Sequence, residues 1–178
     1  MDTLSGETCP VCLKKTLTLV EDEKDIPYFG KIYIFSMQCT DKECDFKQAD
    51  VEAEEAKDPL RITFTIESEK DLNVRVIKSG AATISIPQLK MSVEPGAVAD
   101  GYVSNIEGVI HRFEEILKQE KNNDEDEAAV KTAKNLLKKL WKVKLGDISL
   151  KIIIEDPTGN SAIISPKAVT EPLKKKKK

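Results

Sequence analysis

The chain has 178 residues, 40% of them hydrophobic and 33% charged, with a mean hydropathy of −0.35 and a formal charge of −3. No apolar run approaches the roughly 18 residues that a membrane-spanning helix needs, so a membrane role is not expected. Without Lys174 to Lys178 the count is 23 basic against 31 acidic side chains, a net charge of −8; a body so acidic argues against a broad phosphate-binding surface. The first residues, Met1 to Glu7, lack the basic and apolar regions of a signal peptide. A reducing cytoplasm is therefore expected, where paired cysteines serve as metal ligands more often than as disulfides.

Residues 1–50 carry all four cysteines, Cys9, Cys12, Cys39 and Cys44. Between the pairs lie two strand-like runs, Thr16 to Leu19 and Lys31 to Ser36, broken by Glu21-Asp22-Glu23, Pro27 and Gly30. The spacing is Cys-x2-Cys, 26 residues, then Cys-x4-Cys. Each pair sets two sulfurs on one turn, and the strands between bring the turns together, which suits tetrahedral zinc. Four thiolates leave no vacant coordination position, so the metal is structural. Two disulfides or four spare thiols are the other readings, and four thiolates also suit iron. The matched second pair and the β context favour zinc.

Residues 51–57 read as a polar linker. A β-domain is expected over 58–168, starting with Leu60 to Ile66, whose apolar residues alternate. Leu72, Val74 and Val76 alternate in the same way, and Thr83 to Ile86 run into Pro87. The period then changes to helical. Ile106, Val109, Ile110, Phe113, Ile116 and Leu117 share one face, with Ser104 and Glu107 as a capping box. Lys121 to Asp124 read as a turn. The acidic run Asp124 to Glu127 opens a second helix, where the dipole favours it, with Ala129, Ala133, Leu136, Leu137, Leu140 and Trp141 on one face. The hairpin insertion spans about 104–144. Strand returns at Ile148 to Ile154, followed by a turn at Asp156 to Asn160 and a short strand at Ala162 to Ile164. Residues 169–178 read as a disordered basic tail; the lysines solubilise the chain end or bind polyanions weakly.

No phosphate loop, dinucleotide fingerprint or Ser–His–Asp set is present, and His111 falls off the apolar face of its helix, so an enzyme is not expected. Two segments carry more rigid, permissive and polar residues than chain reversal requires: Val93 to Tyr102 and Ile154 to Ser161.

Several words occur together in one order: Cys9-Pro10-Val11-Cys12, Ile26-Pro27-Tyr28-Phe29, Cys44-Asp45-Phe46-Lys47, Arg75-Val76-Ile77-Lys78-Ser79, Ala82-Thr83-Ile84-Ser85-Ile86-Pro87, Glu94-Pro95-Gly96, Ile106-Glu107-Gly108 and Asp156-Pro157-Thr158-Gly159-Asn160-Ser161. On these words the chain resembles the ZPR-type zinc-finger family over roughly residues 8–165. The resemblance implies a mainly β protein with an inserted α-hairpin: a four-cysteine, zinc-ribbon-like finger followed by a double-stranded β-helix, or jelly-roll-like, domain. A single such module is like the archaeal members; eukaryotic members have two in tandem. The second knuckle departs from the family's usual Cys-x2-Cys. Eukaryotic members bind translation elongation factor 1-alpha and assist its folding, so the resemblance implies that GTP-binding factor as partner. It places partner contacts on Phe46, Glu94, Gly96, Asp156, Gly159, Asn160 and Ser161. A nucleic-acid-binding zinc ribbon is the alternative, supported by the finger and the lysine tail, and opposed by the acidic body and only 5% aromatic residues.

Overall fold

The computed structural model describes residues 1–27, 29–54, 57–96, 99–123 and 126–173. Tyr28 and the lysine tail lie outside the described residues, as does the start of the acidic run. Twelve strands and two α-helices are described. The first four strands are β1 (Asp2–Glu7), β2 (Leu17–Ile26), β3 (Gly30–Cys39) and β4 (Lys47–Ala53), which form an antiparallel sheet in that order.

The acidic stretch expected to end a strand lies inside β2. Glu21, Asp22 and Glu23 sit opposite Phe35, Ile34 and Tyr33 of β3. Ion pairs Lys24–Asp22 (2.9 Å) and Lys31–Glu23 (3.3 Å) offset the local charge, and backbone pairing holds the ribbon without apolar alternation. The expected linker is likewise strand as far as Ala53.

The second part begins with β5 (Leu60–Ile66), as expected. The alternation at Leu72 to Val76 resolves differently. Glu69 to Asn73 form a 3-10 turn, anchored by Asp71, which accepts hydrogen bonds from the amides of Glu67 and Ser68. β6 (Arg75–Lys78) follows, then β7 (Thr83–Ile86), β8 (Met91–Val93) and β9 (Tyr102–Asn105). Helix α1 spans Ile106–Asn123 and α2 spans Glu127–Lys144; β10 (Leu150–Asp156), β11 (Ala162–Ile163) and β12 (Val169–Pro172) complete the chain. Residues Val169 to Pro172, expected in the tail, pair with β5.

Strand order is β12-β5-β10-β7-β8 in one sheet and β11-β6-β9 in the other. This is a jelly roll with the helical hairpin between β9 and β10. Its core joins Phe64, Ile66, Ile86, Ile110, Leu140 and Ile152, all fully buried; each such side chain contributes about 2 kcal/mol of transfer free energy. The α1 cap is Asn105, the last residue of β9 and one after the expected Ser104: its Oδ1 accepts from the Gly108 amide at 2.8 Å. Trp141, expected on the apolar face of α2, is 60% exposed, and Val143 packs inward in the same last turns. The helix turns by 3.6 residues, so the stripe drifts off Trp141 as it reaches the end.

A second apolar cluster joins the two parts: Ile26, Ile32 and Val51 of the first sheet meet Ile77 of β6 and Ala162 of β11. The ribbon is thus seated on the jelly roll at its far end, with the cysteines at the other.

Candidate metal centre

The first knuckle is a tight turn. The Leu13 amide donates to the Cys9 carbonyl (2.9 Å) and the Cys9 amide to the Lys14 carbonyl (2.9 Å). Closing it puts Leu13 at φ 60°, in the left-handed region that L-residues avoid. In the second knuckle Asp41 substitutes for tighter spacing. Its carbonyl accepts from the Cys44 amide (3.1 Å) and its carboxylate from the Glu43 amide (2.9 Å). Lys14 reaches across to Asp41 (2.5 Å) and links the knuckles. This pairing holds the Asp41 carboxyl below, and the Lys14 ammonium above, their ordinary ranges.

The four sulfurs lie within 4.8 Å of one another. Two pairs are resolved more closely, Cys9–Cys44 at 3.8 Å and Cys12–Cys39 at 3.7 Å, with no disulfide. Zinc–sulfur bonds of about 2.3 Å in a tetrahedron require sulfurs about 3.8 Å apart. The cluster therefore fits one four-coordinate zinc, and the chain binds it as a structural ion. Thr16 adds an outer contact, with its Oγ1 3.2 Å from the Cys39 sulfur; such contacts orient ligands.

The thiols are not equivalent. A hydrogen bond from the Lys14 backbone brings Cys12 down to about 7, against the effect of desolvation. At Cys44 the Phe46 backbone hydrogen bond lowers the value, but burial and the neighbouring thiols outweigh it and push it up to about 12. A dication is what allows the last thiol to ionise beside three others. Around the site, Leu19, Met37 and Phe46 are half-buried against the cysteines, whereas Val11 and Leu13 are 65% and 75% exposed.

The second set of sequence-derived residues occupies different ground. Glu94 and Gly96 are exposed and Phe46 and Asn160 half-buried, but Asp156, Gly159 and Ser161 are buried. Asp156 accepts from Ser161 Oγ (2.5 Å), Ser79 Oγ (2.9 Å), Thr158 Oγ1 (2.7 Å) and the Thr158 amide (2.8 Å). Gly159 has φ +75°, and a Cβ there would meet the Asp58 carbonyl oxygen at 2.6 Å. Asn160 Oδ1 accepts from the Ala53 amide (3.2 Å).

Sequence reasoning missed why this turn is built so. β4 is an edge strand, and its outward amides are taken one by one: Ala49 by Asp100 Oδ1 (2.9 Å), Val51 by the carboxylate of Asp50 (2.7 Å), Ala53 by Asn160. Asp50 also accepts from the Gly80 amide (2.7 Å). Gly101 donates to the Ala49 carbonyl (2.8 Å), and any Cβ there would collide with Asp50. The loops of the jelly roll thereby close the ribbon's open edge, a common liability of sheets. Beneath them Lys78 is 6% exposed. Burial lowers its pKa, opposed by the charges of Asp50 and Asp156.

A four-thiolate ribbon seated on a jelly roll with an inserted helical hairpin defines a zinc-finger protein of two joined parts, and among the described residues no helix is long and apolar enough to cross a membrane. Sequence comparison gives the family. The signature of the ZPR1 jelly-roll domain matches residues 70–177, and the chain belongs to the ZPR1 family. It is 39% identical over 165 residues to a ZPR1-like protein of Methanocaldococcus jannaschii, covering 92% of this chain and 82% of that one. It is 38% identical over 171 residues to a ZPR1-like protein of Pyrococcus horikoshii, covering 94% and 76%. It is also 32% identical over 142 residues to the zinc finger chaperone zpr1 of Schizosaccharomyces pombe, covering 78% of this chain and 30% of that longer protein.

Proposed function

We propose that the chain is a cytoplasmic zinc-binding adaptor or folding chaperone for the GTP-binding translation elongation factor 1-alpha. The observation that carries this reading is the metal-held tip. Leu13 is kept in a strained conformation and mostly exposed, next to exposed Val11. A knuckle that only closed a turn would accept glycine at Leu13 without strain. Exposed apolar groups on a rigid, metal-fixed support suit recognition of a polypeptide. The similarity to a protein named a zinc finger chaperone supports the same class.

Phe46, Glu94, Gly96 and Asn160 are the proposed contacts that have exposed or half-buried surface. Asp156, Gly159 and Ser161 contribute by fixing the loop that carries Asn160. The test is refolding of the denatured elongation factor with the zinc-loaded chain present, read as recovery of GTP binding. Faster recovery is expected, and its loss in Leu13→Gly, with zinc content unchanged. Equal recovery with and without the chain would sink the proposal.

A further inference from the structure

The jelly roll has a half-open cavity of about 700 Å³, lined by no residue of the metal tip and bordered by Asp100 of the edge-closing loops. One wall is the face of α1 with Val109, Arg112, Phe113 and Ile116. The other is made by Val93, Glu94, Pro95, Ala99 and Asp100 with Tyr102 of β9. Lys78 and Ile84 also line the cavity.

Its polar groups are unevenly satisfied. The Arg112 guanidinium sits over the Tyr102 ring, 3.9 Å from the centroid. That contact orients the fork while leaving its N–H edges available. Among the described residues it has no carboxylate within ion-pair distance. The two acids nearest it in sequence on its own helix are engaged with lysines: Glu115 with Lys118 (2.7 Å) and Glu114 with Lys144 (2.9 Å). Asp100, on the facing loop, accepts from the Ala49 amide. Lys78 also lies near the same tyrosine, its ammonium 5.8 Å from the ring centroid and donating to the Ser79 and Asp100 carbonyls (2.9 and 3.3 Å). Two cations therefore lie over one ring in a cavity whose walls mix apolar and acidic side chains.

We propose that this cavity grips a polypeptide segment in which one carboxylate side chain stands between apolar ones, the carboxylate on Arg112 and the apolar groups against Val93, Val109, Phe113 and Ile116. Charge selects a carboxylate over a phosphate. Glu94, Asp100 and Glu115 line the same cavity, and a dianion would be repelled where a single charge forms one bidentate pair. The open side suits a chain that enters and leaves, and the volume lies in the range of ligand sites. The inference rests on the polypeptide-binding role proposed above and names the kind of segment bound.

The probe is a pair of capped hexapeptides with Leu-Glu-Leu-Phe or Leu-Gln-Leu-Phe at the centre, titrated calorimetrically into the zinc-loaded full chain. The Glu peptide is expected to bind about tenfold more tightly or better, as a charge-assisted hydrogen bond implies. Its binding is expected to shift the Arg112 Nε–H resonance. Arg112→Gln should bring the Glu peptide down to the Gln level, and Arg112→Lys should fall between, since the charge remains but the fork is lost. Equal binding of the two peptides, no binding of either, or tighter binding of a phosphoserine version would overturn the proposal. Elongation-factor refolding is measured alongside. Assisted refolding without peptide discrimination defeats the cavity claim alone. Discrimination without assisted refolding defeats the chaperone role alone.

Discussion

The two ends of the ribbon are held by different physics. At the tip, four sulfurs surround a single point, and among the described residues the only buried apolar side chain packed with them is Leu17. At the seated end, Ile26, Ile32 and Val51 pack on Ile77 and Ala162, and loop side chains take up the amides of β4. A few side chains around Leu17 cannot outweigh the chain entropy of ordering two knuckles, at about 1–2 kcal/mol per residue, so the tip depends on its ion. The seated end draws on a core shared with the jelly roll and does not. One sheet thus has a metal-dependent half and a metal-independent half, and the exposed Val11 and Leu13 lie on the former.

The largest way to break this division is at the metal. Structural zinc contributes on the order of 10 kcal/mol or more, so Cys39→Ser should cost several kcal/mol of that, read as a fall of at least a hundredfold in zinc affinity against a chelator. Asp156→Ala should come next. It leaves Ser79, Thr158 and Ser161 without their acceptor and removes one of the counter-charges near Lys78, at a cost of roughly 3–5 kcal/mol. In thermal melts that is about 10 °C or more, with zinc stoichiometry unchanged. Asn105→Ala removes only the cap of α1 and should cost about 1 kcal/mol, lowering Tm by a few degrees and leaving both the metal and the seam intact.

The smallest effect is a pH dependence confined to the jelly roll. Asp71 is desolvated, but the Glu67 amide, Lys167 and Ser68 more than offset this and lower its pKa below 3.8. A carboxyl with a depressed folded pKa stabilises fully above its unfolded value and loses that contribution as pH falls through the folded one. The Tm gap between the natural chain and Asp71→Asn should therefore be constant from pH 7 to about 5 and close below about 4. A gap that widened in acid would contradict the assignment.

Much of this was legible in the sequence, for identifiable reasons. Cysteine spacing reports ligand geometry directly, and it gave all four metal ligands. Strands β5 and β7 alternate apolar and polar residues because one face is buried, and both were read with their bounds. β1 was not, because all six of its residues are exposed and only its ladder to β2 makes it a strand. The acidic part of β2 was misread for the same reason, since cross-strand pairs with Lys31 and Tyr33 are tertiary facts. The words at Asp156 to Ser161 stand out in the sequence, but nothing in one sequence says that Asp156 turns inward while Asn160 reaches Ala53. Arg112 was missed altogether. Its partner Tyr102 is ten residues away on another element, and no local pattern marks a cation with no acid in reach among the described residues.

Hydrogen exchange on the zinc-loaded and zinc-stripped chain tests the division most directly. Zinc removal is expected to erase protection at residues 9–19 and 37–47 while amides of Leu60–Ile66 and Leu150–Asp156 keep theirs. Protection lost throughout the chain, or retained at both knuckles, would contradict it.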